Sequence, residues 1–162
     1  MADKDADFYY VSVDTEGEIG WESGTWKMPG RPDAHVIEIL TESTLPAYKA
    51  YLRKKGVSYI ICGKEQLDCG LAAEKLSQYF GMEKVLICGG GMVNWSFLQA
   101  GMIDELSLLL APVTDGSAGG ASLFSRMPSL AEGMPVEFEL KKAEPVGEGG
   151  FYLNYRTRNS PR

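Results

Sequence analysis

Residues 85–94, Val-Leu-Ile-Cys-Gly-Gly-Gly-Met-Val-Asn, constrain the fold of this chain more than any other stretch. The pattern predicts an apolar strand over residues 85–88, a turn at the glycines, and a helix from about Met92 to Ala100. Glycine lets a backbone turn sharply and approach an anion, and a helix N-terminus adds unpaired N–H donors and a positive dipole end. The pattern therefore predicts a phosphate site, with close packing of the helix on the strand as the alternative.

Apolar and polar residues alternate elsewhere in ways that predict further strands. Single strands are expected at residues 8–13, 35–40, 57–62 and 103–111, and an antiparallel pair at residues 136–142 and 150–156. The last residues of the 103–111 strand are continuously apolar, which predicts a central place in the sheet. Residues 18–32 are rich in glycine and proline and are expected to form an ordered loop or hairpin.

Two more helices are predicted between these strands. The first has Pro46 in its first turn and ends at Gly56, and the second follows a turn at residues 63–67 and ends at Gly81. Hydroxyl side chains in residues 41–44 are expected to cap the first helix. The element order predicts an α/β fold with a mostly parallel sheet and an antiparallel C-terminal portion, in one domain.

Charge and cysteine content restrict the possible partners. A net charge of −6 disfavours binding to nucleic acid or to an anionic membrane, so a small-molecule partner is expected. The chain has three cysteines without a C-x-x-C pair and one histidine, which argues against a metal site. Cys62 and Cys88 each end a predicted strand and are expected to be buried free thiols, which suits a cytoplasmic location.

Two common phosphate motifs do not fit the glycine run. The dinucleotide fingerprint G-x-G-x-x-G needs a glycine where this chain has Asn94, and a P-loop needs lysine followed by serine or threonine where it has Met92 and Val93. The run therefore predicts where an anion binds without predicting the reaction.

The sequence after the glycines is more specific. The block Gln-Ala-Gly-Met-Ile-Asp-Glu-Leu at residues 99–106 and Ala-Pro-Val at residues 111–113 resemble the reductase domain of the bifunctional deaminase-reductase of riboflavin biosynthesis. That family belongs to the dihydrofolate reductase-like superfamily, and residues 56–63, residues 122–124 and the C-terminal hairpin are similar to it as well. The resemblance implies one dihydrofolate reductase-like domain over residues 1–162, with a mixed, mostly parallel central sheet flanked by helices.

The resemblance also implies a function and a site. It implies an NADPH-dependent oxidoreductase acting on a ribosylated pyrimidine, as a 5-amino-6-(5-phosphoribosylamino)uracil reductase does, or on a pteridine. Thr15 would contact the adenosine end of the cofactor, with a turn-stabilising role equally open, and Thr41 is a weaker candidate because helix capping would explain it. The residues that would hold the cofactor pyrophosphate are Gly89, Gly90, Gly91, Met92, Val93 and Asn94.

Two departures from the family leave alternatives open. Cys88 stands where family members commonly have a substrate-facing glutamate, and a thiol cannot accept the paired hydrogen bonds that a carboxylate can. The strand, helix and Gly-Arg-x-Thr turn that begin family members do not occur before Phe8, so the domain is expected to be a fragment or to need a complementing N-terminal segment. A non-catalytic nucleotide-binding or regulatory module is the alternative function, and a purely structural oligomerisation domain is a third.

Catalytic and interface residues are less well predicted. Asp14, Glu22 and Asp104 are candidate acids or bases without a supporting context, so no catalytic residue is assigned. The resemblance implies a possible homodimer, whose interface would suit Trp21 and Trp26 if they are exposed.

Overall fold

The computed structural model describes residues 6–114, 116, 119–126 and 133–158. The chain divides into two compact units, Met1–Val85 and Leu86–Arg162. Both contain strands and helices, as the α/β prediction requires.

The first unit is built on a four-stranded sheet with two helices. Its elements are β1 (Tyr9–Val13), β2 (Thr25–Trp26), β3 (Ala34–Leu40), α1 (Pro46–Lys55), β4 (Ser58–Ile61) and α2 (Cys69–Phe80). Strand β3 pairs in parallel with β1, from Tyr9 opposite His35 to Val13 opposite Ile39. It also pairs in parallel with β4 and in antiparallel fashion with the short β2, so β3 is the central strand of this sheet.

Strand β3 is buried on both faces, which explains its nearly continuous apolar sequence. Val36 and Leu40, on one face, pack with Leu52 of α1 and with Trp21. Glu38 lies on the same face by the two-residue period of a strand, and its side chain is fully buried. A carboxyl group in this position needs polar partners, because an unpaired buried charge is very costly.

Both helices of the first unit end as the sequence predicts. Gly56 and Gly81 adopt the left-handed conformation, with φ of 72° and 66°, that lets glycine close a helix C-terminus. The start of α1 differs from expectation, because its N-cap is Leu45 and no side chain bonds there. The predicted capping by residues 41–44 is wrong, since Thr41 and Thr44 donate instead to the carbonyl oxygen of Thr15.

The second unit contains one helix and an antiparallel sheet. Its elements are α3 (Gly91–Gln99), β5 (Glu105–Leu110), β6 (Phe138–Val146) and β7 (Gly150–Thr157). The strand order is β5-β7-β6, which confirms the predicted C-terminal antiparallel pair. Buried Thr157 ties the end of β7 to the start of β5, because its backbone N–H donates to the carbonyl oxygen of Asp104 at 3.0 Å.

Two strand predictions for the second half of the chain are wrong. Residues 85–88 form no strand, because apolar composition alone does not supply the ladder of backbone hydrogen bonds that a strand requires. Strand β5 lies at an edge of its sheet, since β7 is its one neighbour among the described residues. Leu109 and Leu110 are accordingly exposed, at 64% and 56%, rather than covered on both faces.

Four further side chains test predictions made from the sequence. Cys62 is buried as expected, but Cys88 is exposed, because the strand that would have buried it does not form. Trp21 is buried in the core of the first unit and is not available to an interface, whereas Trp26 is 39% exposed.

No described helix has the length and apolar character that crossing a bilayer requires. Within the described ranges, no three His, Cys, Asp or Glu side chains cluster as metal ligands would.

Candidate functional site

The glycine turn forms an open helix N-terminus. Gly90 is the N-cap of α3, with extended backbone at φ −64° and ψ 169°, and no side chain caps it. The first N–H groups of any α-helix lack an intrahelical partner, so those of Gly91, Met92 and Val93 are available as donors. The first turn of α3 contains no acidic residue that would compete for the positive end of the dipole.

Gly91 is required because another segment packs directly on its backbone. The Ser125 N–H donates to the Gly91 carbonyl oxygen at 2.9 Å. A Cβ atom at Gly91 would lie 2.6 Å from the Ser122 carbonyl oxygen and 2.8 Å from Ser125 Oγ, which is closer than real Cβ contacts. A Cβ at Gly89 would be 3.0 Å from that of Val93, whereas one at Gly90 would have no heavy atom within 4 Å. Close approach, and not positive φ, therefore explains the glycine at position 91.

The segment over residues 122–125, here called the serine loop, is fixed to the second unit. The Phe124 ring stacks on that of Phe138 in β6, with centroids 6.2 Å apart. Asn94 Nδ2 donates to the Leu123 carbonyl oxygen at 2.9 Å. The hydroxyl groups of Ser122 and Ser125 hydrogen-bond to each other beside the helix N-terminus.

These features suit an anionic ligand. Unpaired N–H donors and a positive dipole end meet at one place, with open space over Gly90. The Ser122 hydroxyl beside them already donates to the Phe124 carbonyl oxygen at 2.9 Å. Asn94 Oδ1 is buried without a hydrogen-bond partner among the described residues, but an amide oxygen is an acceptor and adds nothing to this donor set. The donor set therefore fits a phosphate or pyrophosphate group.

The second predicted element is the segment after β1, residues 14–21, which includes Thr15. The Asp14 carboxylate accepts backbone N–H donors from three successive residues: Gly17 at 2.8 Å, Glu18 at 2.7 Å and Ile19 at 2.9 Å. Burial raises the pKa of Asp14, but these bonds outweigh it, and the pKa lies below its usual value. An ionised Asp14 therefore holds the segment in shape.

Thr15 is held by its backbone and leaves its side chain free. Its carbonyl oxygen accepts from Thr41 Oγ1 at 3.1 Å and from Thr44 Oγ1 at 3.2 Å. Both threonines are buried, so the anchor is fixed. Within the described part of the chain, the Thr15 hydroxyl has no protein partner and is available to a ligand.

Glu38 of β3 and Tyr48 of α1 lie against this segment. Neither residue was proposed as a site candidate from the sequence. Tyr48 Oη lies 2.7 Å from the Ile19 carbonyl oxygen and 3.0 Å from Glu38 Oε1. Burial, more than any other cause, raises the pKa of Glu38 to about 7, with the nearby Asp14 adding to the rise. Burial and the neighbouring carboxyl groups also raise the pKa of Tyr48 well above its ordinary range. The one available signal was a glutamate inside an apolar strand sequence.

Most of the predicted residues lie together, and Thr15 belongs to a separate element. Residues 89–94 form the glycine turn and the start of α3 in the second unit, and the exposed Cys88 comes immediately before them. Thr15 lies in the first unit. Of the three uncertain acids, Asp14 gains a structural context, while Glu22 is exposed and the Asp104 carbonyl oxygen accepts from Thr157.

The first unit also contains a cavity of about 750 Å³ over β4. Among its lining residues are Arg53, Tyr59, Lys75 and Tyr79. None of the predicted site residues lines it.

Comparison with known proteins identifies the family of this chain. The model of the RibD C-terminal domain family matches residues 30–152. A curated relative from Methanothermobacter thermautotrophicus, a 2,5-diamino-6-ribosylamino-4(3H)-pyrimidinone 5′-phosphate reductase, is 28% identical over 116 residues. The match covers 72% of this chain and 53% of that protein, so the chain spans about half the length of the relative.

Two solved structures share the fold. A pyrimidine reductase-like protein from Corynebacterium diphtheriae is 16% identical with a TM-score of 0.69, covering 92% of this chain and 60% of that one. RibD from Acinetobacter baumannii, in one crystal form, is 16% identical with a TM-score of 0.57, covering 94% of this chain and 59% of that one.

Proposed function

The chain belongs to the RibD C-terminal domain family, and we propose from this that it is a nicotinamide-dependent reductase of a phosphorylated ribosylaminopyrimidine in riboflavin biosynthesis. The observation that carries the proposal is the glycine turn, where the serine loop occupies the space of an absent Gly91 side chain beside unpaired N–H donors. The curated relative is named as a reductase of such a pyrimidinone phosphate, which supports the substrate class.

NADPH is the proposed cofactor, and it would supply a hydride to the bound pyrimidine. The segment from Gly89 to Asn94 would hold its pyrophosphate, chiefly through the backbone donors of Gly90, Gly91, Met92 and Val93. The Asn94 N–H is not among these donors, because it donates to the Gly90 carbonyl oxygen at 3.1 Å. Thr15 would meet the adenosine end through its free hydroxyl. The chain's own contribution to the reaction is to position the cofactor against the substrate.

Cys88 is the proposed substrate-side residue, because it is exposed immediately before the turn. Its thiol is a weak donor and a weak acceptor, so it would give the pyrimidine less directional binding than a carboxylate. This difference favours one alternative function, a nucleotide-binding or regulatory module that binds the cofactor without turnover.

Titration with NADPH and NADH, followed by a turnover assay, tests the proposal. We expect NADPH to bind and to be oxidised in the presence of 2,5-diamino-6-ribosylamino-4(3H)-pyrimidinone 5′-phosphate, the substrate in the curated relative's name. Binding without turnover would favour the module, and absence of binding of either nucleotide would contradict both.

We also propose a single dihydrofolate reductase-like domain, completed by an N-terminal segment or by a homodimer partner. The outer edge of β1 supports this, because β3 is its one neighbour among the described residues and an unpaired edge favours strand addition. Three free cysteines support a cytoplasmic location. Sedimentation of the chain alone, and of the chain with an added N-terminal segment from a relative, would show whether it forms a homodimer or binds that segment.

A further inference from the structure

Glu38 lies at the centre of a buried polar network that the proposed reaction does not use. Its side chain is fully buried on the core face of β3, beside Val36 and Leu40. Asp14 at the end of β1 and Tyr48 in α1 are the titratable groups that act on it most strongly. Its lateral neighbours in the sheet are Ser12 of β1 and Tyr59 of β4.

The contacts of Tyr48 show that its single proton cannot serve all the oxygen atoms around it. Its oxygen lies 2.7 Å from the Ile19 carbonyl, 3.0 and 3.1 Å from the two Glu38 oxygens, and 3.2 Å from Asp14 Oδ2. A tyrosine hydroxyl has one proton to donate. When that proton goes to Ile19, the shortest contact, an ionised Glu38 would face the lone pairs of the Tyr48 oxygen. The Trp21 indole N–H is the other donor that acts on Glu38, and it makes no complete hydrogen bond among the described residues.

A proton on Glu38 resolves this conflict, because the carboxyl group then donates to the Tyr48 oxygen. Asp14 cannot take that part, since its carboxylate already accepts three backbone N–H bonds that favour its ionised form. The pair therefore divides into a charged Asp14 and a neutral Glu38. The pKa of Glu38, about 7, agrees with this division.

We propose that Glu38 is a positioning residue: protonated, it donates to Tyr48, and Tyr48 in turn holds Ile19 and so fixes the segment that presents Thr15 to the cofactor. The Thr15 part of this inference rests on the proposed function. The one proton of Tyr48 goes to the Ile19 carbonyl oxygen at 2.7 Å, so Tyr48 links α1 to the segment at Ile19, while its oxygen lies 3.2 Å from Asp14 Oδ2. Ionisation of Glu38 would place a second negative charge beside Asp14 and weaken that link.

Hydrogen exchange measured on the full chain tests the network. We expect protection of the Gly17, Glu18 and Ile19 amides, corrected for intrinsic exchange, to fall about 10-fold or more from about pH 6 to about pH 8.5. Glu38→Gln keeps a neutral donor at every pH, so its protection should stay constant over that range. Glu65→Gln removes an exposed carboxylate outside the network and should retain the wild-type pH profile.

Cofactor affinity separates a positioning role from a merely structural one. The NADPH dissociation constant should rise with pH in the wild type over the range in which Glu38 ionises, and should not do so in Glu38→Gln. Equal pH dependence in both proteins would overturn the positioning role. If NADPH binds at no pH, the proposed function and the role toward Thr15 fail together, while the amide data still decide whether Glu38 holds the proton.

A measurement without substitutions covers the case in which a variant does not fold. Carbon-13 labelling of glutamate carboxyl groups lets Glu38 be followed directly in the wild-type protein. We expect it to titrate near pH 7, the pKa given by its burial. Titration together with the exposed glutamates, near their ordinary pKa of about 4.3, would overturn the proposal.

Discussion

The segment after β1 and the glycine turn before α3 are held in place by different physical means. In the segment after β1, one buried carboxylate gathers three N–H groups and two buried threonines hold the Thr15 carbonyl. In the glycine turn, the serine loop sits directly on the Gly91 backbone, where any side chain would collide. The first element depends on polar side chains that are present, and the second on a side chain that is absent.

This difference predicts opposite sensitivities to substitution. Removing a side chain should damage the segment after β1, because buried donors would lose their acceptor. Adding a single carbon should damage the glycine turn, because closely packed backbone cannot move aside cheaply. The following experiments test the contrast.

Asp14→Ala should have the largest effect on stability. It leaves three N–H groups without their acceptor, and we expect the free energy of unfolding to fall by about 2–4 kcal/mol. Chemical denaturation at constant pH measures the change. Glu16→Ala removes an exposed carboxylate from the same segment and should change the stability by less than about 0.5 kcal/mol. Equal effects of the two variants would contradict the network described for Asp14.

Gly91→Ala should destabilise the protein by about 1–3 kcal/mol, because the new Cβ atom meets the backbone of the serine loop. Gly90→Ala is the matched control, since its Cβ atom has no heavy atom within 4 Å and its φ of −64° suits alanine. Thermal unfolding of both variants measures the difference. A Gly91→Ala protein as stable as Gly90→Ala would show that the serine loop does not rest on the turn.

The pH dependence of stability should separate Asp14 from Glu38. The folded pKa of Glu38 lies above its unfolded value, so its contribution is complete below about pH 4.5 and is lost as the pH rises to about 7. The pKa of Asp14 is lowered, so its contribution is present above the ordinary value of 3.8 and is lost as the pH falls.

The loss between those limits for Glu38 should be about 1–3 kcal/mol, and Glu38→Gln should remove it. Denaturation curves at several pH values test this. A wild-type stability that rises from about pH 4.5 to about pH 7 as steeply as that of Glu38→Gln would contradict the assignment.

Thr41→Val and Thr44→Val should each cost about 1 kcal/mol, because the Thr15 carbonyl retains one donor in either single variant. The double variant removes both donors and should lose more than the sum of the two. A double-mutant cycle from urea denaturation measures this coupling. Strict additivity would indicate that the two hydroxyls do not share the Thr15 carbonyl.

Cysteine alkylation should perturb the protein least and should distinguish the two units. Burial raises the pKa of Cys62 and of Cys69 to about 11, whereas Cys88 is exposed before the glycine turn. Because the thiolate is the nucleophile, iodoacetamide should modify Cys88 first, as peptide mass spectrometry can follow. Protection of Cys88 by NADPH would place the ligand near the turn. Modification of Cys62 faster than of Cys88 would contradict the burial of Cys62 in the first unit.

Local patterns predicted much of the fold. Strands β1, β3 and β4, all three helices and the C-terminal hairpin lie close to their expected positions, because apolar periodicity and glycine stops act over a few residues. Residues 85–88 and the central place of β5 were predicted wrongly. Strand formation depends on a partner edge elsewhere in the chain, and four apolar residues contain no information about that partner.

The candidate site divides in the same way. The glycine run indicated an anion site because the helix N-terminus and the glycines are adjacent in sequence. Glu38, Tyr48 and the threonine anchors of Thr15 were missed as a network, since their hydrogen bonds span 10 to 34 residues of sequence.

The sequence alone determined the family, most of the element types and the position of the glycine turn, because each is encoded in contiguous residues. Only the tertiary structure decided why Gly91 must be glycine, since the Ser122 and Ser125 atoms that would meet its side chain lie 31 or more residues away. It also decided how the two buried carboxyl groups differ. Three backbone N–H donors lower the pKa of Asp14, whereas burial raises the pKa of Glu38 to about 7.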